Sequence, residues 1–479
     1  MAFGLFKKNH TADTIFINGK IYTQNRDLPW AEAVACKDGK FIYVGNSQDA
    51  GQYEGPDTYV VDLSGKYVLP GLINTHNHGA LRAFEGMYIS LSENDEIEDV
   101  QGILSDYILN NPEEDVYFGY GFKAGLLKEM TQEQASLKLD EVCTDKPIML
   151  LSLGEGTLWV NNCALEQARE AAQEDGVPMI SVSYFMQSVS PFNYEELQNR
   201  IIELASEYCS KGFTSLFNAG APEFMDNVCQ EVLLMMHQQE MMKQRYFGSL
   251  EVAGDNINRL KAVMKRLTEK KTNTMELDDS IHCNVLKISL RREEEAEDLD
   301  IENVKKLIME VSDQGFNVHI DVLDSKALKE CMEIITVVRN AGYRKNIFIV
   351  ACDKELRRDS EEFSLSEMCT DNVFFQPSTK REPAEEYAAI EEASSVEEIL
   401  DSFTIDAAIS LGVSDKLGTI EVGKLADFAV FEKNPFDLIK PSLFKKLQAD
   451  MTVLGGQVVY DVEEDNMREW YDLMSGMQL

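Results

Sequence analysis

Between residues 12 and 66, short runs of alternating apolar and polar residues are interrupted by pairs that turn the chain. "DTIFINGKIYTQN" breaks at Asn18-Gly19, "AEAVACKDGKFIYVGN" at Asp38-Gly39 and "DTYVVDLSGKYVLP" at Ser64-Gly65. Alternation with a period of two marks strands, and Asn-Gly or Asp-Gly between two such runs is a strong local hairpin signal. The far end shows the same alternation. There "ADFAVFEKNP" and "DMTVLGGQVVYDV" read as strands, the second turning at Gly455-Gly456. Both ends are β-rich and the middle is not. Since chain termini often lie close together, this pattern predicts one small β-sandwich assembled from residues 1–68 with 415–479.

From 69 to 414 the pattern alternates. A helical stretch from Tyr194 to Lys211 stops at Gly212, a residue suited to a helix C-cap. It is followed by apolar runs in "FTSLFNAG", "QRYFGSLEV", "IHCNVLKISL", "FNVHIDVL", "KNIFIVACD" and "NVFFQPS". Between them Val304, Leu307, Ile308 and Val311 share one helical face, as do Leu328, Cys331, Ile335 and Val338. Strand and helix in alternation predict an α/β fold with a parallel sheet, doubly wound or closed into a barrel. Residues 80–165 exceed the needs of one βα unit and predict an inserted subdomain. Nothing matches Gly-x-Gly-x-x-Gly or a P-loop, so nucleotide binding has no support.

Composition narrows the class. The 479 residues are 44% hydrophobic and 27% charged, as in a globular protein with a large core. A formal net charge of -38 repels nucleic acid and anionic membranes, which makes both poor partners and favours solubility. Nine cysteines lie scattered without a Cys-x-x-Cys pair. That usage predicts reduced, mostly buried thiols and a cytoplasmic protein. The opening "MAFGLFKKNHTADT" lacks the order of a secretory signal.

The chemistry concentrates in "YVLPGLINTHNHG", where His76 and His78 stand one residue apart at the end of an apolar run. On a strand these side chains point the same way, so two imidazoles converge, a common beginning of a metal site. Of the six histidines, His319 falls on a later predicted strand, and Lys287 lies inside the apolar run "NVLKISL". Each alone has an ordinary structural explanation. Together they fall on successive strands, and barrels carry their chemistry at strand C-terminal ends.

These residues and their settings resemble the amidohydrolase superfamily, in particular the YtcJ-like, amidohydrolase-3 branch. "DLSGKYVLPGLINTHNH" is similar to the signature Gly-Lys, Pro-Gly, His-x-His. "KPIMLLSLGEGTLWVNNCAL" resembles a branch segment through Trp159, Val160, Asn161, Ala164 and Leu165, and "KGFTSLFNAG" resembles the family's Gly-x-Thr-Ser strand. "SFTIDAAISLGVSDKLGTIEVGKLADFAVFEKNPFD" matches the C-terminal passage at Gly418, Gly423, Lys424, Ala426 and Asp427. The resemblance implies a TIM-type (β/α)8 barrel at 69–414 beside the β-sandwich. It implies a divalent metal, Zn²⁺ by family usage, held by His76, His78 and His319, with Lys287 matching a lysine often carboxylated as a bridge. It also implies hydrolysis of a C–N bond other than a peptide bond, in a small-molecule substrate; a homo-oligomer is compatible with this.

The pattern also breaks. Asn74 stands where the branch has an acid and Gly156 where it tends to have a histidine, and Asp324 lies one place late for His-x-x-Gly-Asp. No histidine follows His319, so the family's later histidine ligand is absent; the region where it would stand reads "FIVACDKE", with Cys352 or Asp353 as substitutes. Too few residues follow "NVFFQPS" for the usual eighth strand with its aspartate, so that strand is expected to be lost or reduced. Asp353, with Glu155 behind it, is then the candidate catalytic base. Three imidazoles suffice for one catalytic ion, so one metal is favoured over two. Two functions stay open: a hydrolase with a shortened site, or a degenerate relative, with no metal, that binds or regulates. A thiol enzyme using Cys352 is a third.

Overall fold

The computed structural model describes residues 11–92, 94–152, 157–176, 182–189, 192–252, 257, 259–277, 279–290, 300–322, 324–352, 356, 372–377, 390 and 393–467. The N-terminal strands are β1 (Thr14–Ile17), β2 (Lys20–Tyr22), β3 (Trp30–Ala31), β4 (Ala33–Lys37), β5 (Lys40–Gly45), β6 (Tyr59–Asp62) and β7 (Tyr67–Pro70). Next come β8 (Leu72–Asn77), β9 (Ile89–Ser90), β10 (Tyr117–Phe122), β11 (Ile148–Ser152), β12 (Leu158–Val160), β13 (Phe213–Asn218) and β14 (Arg245–Val252). The rest are β15 (Ile281–Ser289), β16 (Asn317–Asp321), β17 (Phe348–Cys352), β18 (Val373–Pro377), β19 (Phe428–Phe431), β20 (Met451–Leu454) and β21 (Gln457–Asp461).

Two sheets form the β-sandwich, ordered β5-β4-β1-β6 and β21-β20-β19-β7-β2-β3, the second drawn from both ends of the chain. Asp38-Gly39 and Gly455-Gly456, all at positive φ, close the antiparallel hairpins β4–β5 and β20–β21. Asn18-Gly19 and Ser64-Gly65 do something else. Each carries the chain from one sheet to the other, and β1 runs parallel to β6 while β2 runs parallel to β7. The two corners stack, with Gly65 N donating to the Asn18 carbonyl at 2.7 Å. A left-handed residue such as Asn18 (φ 58°) turns the chain sharply, but burial decides which strands then pair. Here Phe16, Ile21, Phe41, Val68, Phe428 and Val430 fill one core between the sheets, which requires each arm of the corner to join a different sheet.

The seven parallel strands β18-β17-β16-β15-β14-β13-β8 curl into the barrel. Alternation sorts their side chains into two layers. Leu250, Leu286, Ile288, Val318, Ile320, Val350 and Cys352 pack outward against the helices Ile301–Asp313 and Ser325–Asn340. Ile73, Phe217, Phe247, Val285 and Ile349 point inward. Both apolar helical faces read from the sequence, at Val304–Val311 and at Leu328–Val338, are buried here. Among the described residues there is no eighth barrel strand; residues 378–389 lie outside them. Ala407, Ala408 and Leu411, on and just after the helix Ile405–Ser410, join the inner layer instead, and Ser410 Oγ accepts from Gln376 Nε2 of β18 at 3.0 Å.

Barrel and sandwich are joined by a buried, bidentate ion pair. Arg245, the first residue of β14, gives Nε to Asp427 Oδ2 at 2.6 Å and Nη2 to Oδ1 at 2.8 Å. Asp427 Oδ1 also accepts from Gly455 N, and its carbonyl accepts from Gly71 N. The C-terminal sequence passage is thus structural. Gly418 (φ 89°) belongs to it as well: a Cβ there would lie 2.8 Å from that of Ala408. A second compact unit comprises Gly79–Ile201 with Ala221–Gln238. Its sheet, β12-β11-β10-β9, buries Trp159, whose Nε1 donates to the Ala135 carbonyl. Asn161 caps the helix Asn162–Glu174 and bonds the carbonyls of Cys143 and Lys146.

Every described cysteine is a free thiol, and no described helix is long and apolar enough to cross a membrane. Removing one partner of a buried charge pair leaves the other unsatisfied, at about 3–5 kcal/mol. Asp427→Ala should therefore lower unfolding stability by about that amount, measured by denaturant titration. A loss no larger than that of an exposed Asp437→Ala control would refute the clamp.

Candidate metal centre

Three barrel strands build the centre, and register lines up their side chains. Lys287 on β15 is the lateral neighbour of His319 on β16, and Ser289 is that of Asp321. Because Val318 and Ile320 face the helices, His319 and Asp321 face inward together. On β8, Asn74 Oδ1 accepts from His76 N at 3.0 Å, which shapes the strand end where the imidazoles emerge. His76, His319, Asp321 and Lys287 are all buried, His319 and Lys287 completely.

One donor atom from each of His76, His319 and Asp321 lies within 4.8 Å of the others. The His76 ring lies 5.3 Å from that of His319 and 5.2 Å from that of His78. Phe217 stacks against His319, at 5.4 Å between ring centres. His78 Nδ1 is 2.9 Å from the Gly220 carbonyl oxygen. A carbonyl can only accept, so Nδ1 carries a proton. Lys287 Nζ reaches Asp321 Oδ2 at 2.6 Å and the Ala219 carbonyl at 2.6 Å, and Ser289 Oγ adds a longer bond of 3.3 Å to the same carboxylate oxygen.

Electrostatics follow from burial and this lysine. Burial, then the Lys287 ammonium, push the His319 imidazole well below its ordinary value, against the opposing pull of Asp321. Its ring is therefore neutral at pH 7, the form that ligates metals. Burial alone would raise Asp321, but the charge and hydrogen bond of Lys287 outweigh it and hold the carboxyl below its usual range. Both ring nitrogens of His319, and Asp321 Oδ1, are buried without a hydrogen-bond partner. Orphaned polar atoms in such a place cost about 1–3 kcal/mol each. Two imidazoles and a carboxylate, with those atoms convergent, fit a divalent cation by donor type and spacing.

Of the residues singled out from the sequence, the structure brings together His76, His319 and Lys287, with His78 beside His76. Asp321 was not among them. Its signal is His319-x-Asp321, the same spacing of two that marks His76-x-His78. Asp324, the nearer match to the branch pattern, caps the helix Ser325–Asn340 instead, accepting from Lys326 N and Ala327 N. Cys352 does not stand in for a ligand: it is fully buried in the layer facing the helices, which also removes the thiol-enzyme reading. Asp353 and Glu155 lie outside the described residues.

The profile described as the amidohydrolase family (its amidohydrolase-3 group) matches residues 59–349 and 371–460. The exoenzymes regulatory protein AepA of Pectobacterium carotovorum subsp. carotovorum is 27% identical over 46% of this chain and 52% of its own. The N-substituted formamide deformylase of Arthrobacter pascens is 28% identical over 32% of this chain and 29% of its own. The chain thus spans about half, or less, of the length of these two relatives. The structure of an adenosine deaminase from Xanthomonas campestris with bound zinc aligns with a TM-score of 0.53 at 13% identity, covering 97% of this chain and 99% of that one. Barrel, sandwich and sequence place the chain in the amidohydrolase family.

The buried neutral imidazole has a consequence in acid. An unfolded histidine titrates near about 6.5, whereas folded His319 stays neutral well below that. As pH falls through this range the unfolded chain takes up a proton that the folded one does not, so stability drops by up to about 1.4 kcal/mol per pH unit. Asp321 adds stability that is present above about pH 3.9 and lost as pH falls below it. Between about pH 6.5 and pH 4.5, His319→Asn should show a shallower acid slope than wild type in denaturant melts. Identical slopes would overturn the assignment.

Proposed function

We propose that this protein is a metal-dependent hydrolase of a C–N bond in a small amide, cyclic amide or N-acyl compound. The observation that carries the reading is the convergence of His76, His319 and Asp321 on one point, where His319 and Asp321 keep buried ligating atoms without a hydrogen-bond partner. These three would hold one divalent ion, Zn²⁺ by its liking for imidazole and carboxylate, with His78 beside His76 and bonded through Nδ1 to the Gly220 carbonyl. When bound, such an ion lowers the pKa of water and polarises a carbonyl oxygen.

The chain's own residues prepare the place. Lys287 fixes the Asp321 carboxylate in position and keeps it ionised. As a carbamate, Lys287 would set an anion against that carboxylate and against the Ala219 carbonyl; the ammonium suits both neighbours, which favours one ion over a lysine-bridged pair. Phe217 and the inner apolar layer close the floor beneath His319 against water. A sequence relative named as a formamide deformylase and a structural neighbour named as an adenosine deaminase support C–N chemistry, and N-substituted formamides are the first substrates to try.

A second reading, a binding or regulatory protein on the same fold, is favoured by the relative named as a regulatory protein and by the lack of any histidine beyond His319. Elemental analysis of protein purified without chelator separates the two. Wild type should carry about one equivalent of divalent metal, lost in His76→Ala and in Asp321→Asn, and should release acid and amine from a panel of formamides, amides and cyclic amides. A protein that takes up no metal after soaking, with no turnover, would be the regulatory homologue.

A further inference from the structure

We infer that Glu251 is the carboxylate that carries the proton in this site, an assignment that rests on the hydrolase reading above. Glu251 sits on β14 between Leu250 and Val252, both of which pack outward in the helix-facing layer, so its own side chain faces into the barrel. Register sets it beside Lys287, which is beside His319, so the three form one rung across neighbouring strands. Its carboxyl end is located by Gly220. A Cβ at that glycine would lie 2.5 Å from Glu251 Oε2 and 2.9 Å from Cδ, and the φ of +124° there is itself one that suits glycine.

The carboxylate therefore rests on a backbone segment that serves the site twice. The Gly220 carbonyl orients His78, and the Ala219 carbonyl takes Lys287. Glu251 is half-buried, whereas Asp321 is 3% exposed. A group that exchanges protons with water and substrate needs access to them, and Glu251 is the more exposed of the two carboxylates. Glycine at 220 leaves room for the carboxylate at the seam between His78 and Lys287.

In the reaction the Glu251 carboxylate accepts one proton from water as the water oxygen bonds to the carbonyl carbon. It returns that proton to the leaving nitrogen as the C–N bond breaks. The products are a carboxylic acid and an amine, and the carboxylate is regenerated.

The test compares wild type, Glu251→Gln, Glu251→Asp and Asp353→Asn on the panel member that wild type hydrolyses, with metal content measured on each. Glutamine has the shape of glutamate but cannot carry the proton. Glu251→Gln should keep the metal and lower kcat by about 10²-fold or more, with little change in KM, and lose the acidic limb of the pH profile; Glu251→Asp should recover part of the rate. A Glu251→Gln enzyme as active as wild type would overturn the assignment while leaving the hydrolase reading intact. Loss of metal in that variant would make Glu251 a structural residue, and loss of rate in Asp353→Asn alone would move the role there. A metal-loaded wild type inert on the whole panel would overturn the hydrolase reading, and the role of Glu251 with it.

Discussion

The site depends on one buried ion pair, Lys287 with Asp321, in a barrel interior where neither charge has water to solvate it. Taking each ion out of water costs several kcal/mol, which only close mutual contact and further hydrogen bonds can offset. Ala219 and Ser289 supply those bonds. The pair then sets the state of its neighbours. Burial and the ammonium keep His319 neutral, the carboxylate stays ionised, and a neutral imidazole beside an anionic oxygen is the combination that a divalent cation seeks.

The scaffold holds that pair still. Outward-facing Leu286, Ile288, Val318 and Ile320 lock β15 and β16 against the helices, so their inward residues have no freedom to turn away. Helix residues Ala407 and Ala408 pack into the inner layer with Ile73 of β8, the strand that carries His76. At one end of the barrel the Arg245–Asp427 clamp ties β14 to the sandwich. The residues shared with the amidohydrolase family in the C-terminal passage do their work there and not at the candidate metal centre.

Much of this was legible along the chain. Period-two and helical periodicities located the strands and helices because the two layers of a parallel barrel impose them directly. His76, His78, Lys287 and His319 stood out because polar, ligating residues at the ends of apolar runs conflict with burial unless they have partners. Asp321 was less visible, since an aspartate ending a strand has the ordinary explanation of capping the loop that follows. Asp324 shows how common that is, for it does cap the next helix. At Asn18 and Ser64 the sequence signal was right about the local bend, but the hairpin it pointed to at Asn18-Gly19 does not form, since β1 and β2 join different sheets. The same left-handed turn serves a hairpin or a corner between two sheets, and only the shared core of Phe16, Ile21 and Phe428 selects the corner.

What the sequence by itself determined was local and periodic: which segments are strands, which helical faces are apolar, where the chain bends, and which residues can ligate. Those properties depend on side-chain chemistry and on neighbours a few residues away. Tertiary structure alone decided that Lys287 meets Asp321, that His76 meets both His319 and Asp321, and that Glu251 lies against Gly220. Residues separated by tens to hundreds of positions meet only through strand register and barrel curvature, and no short stretch of sequence encodes either.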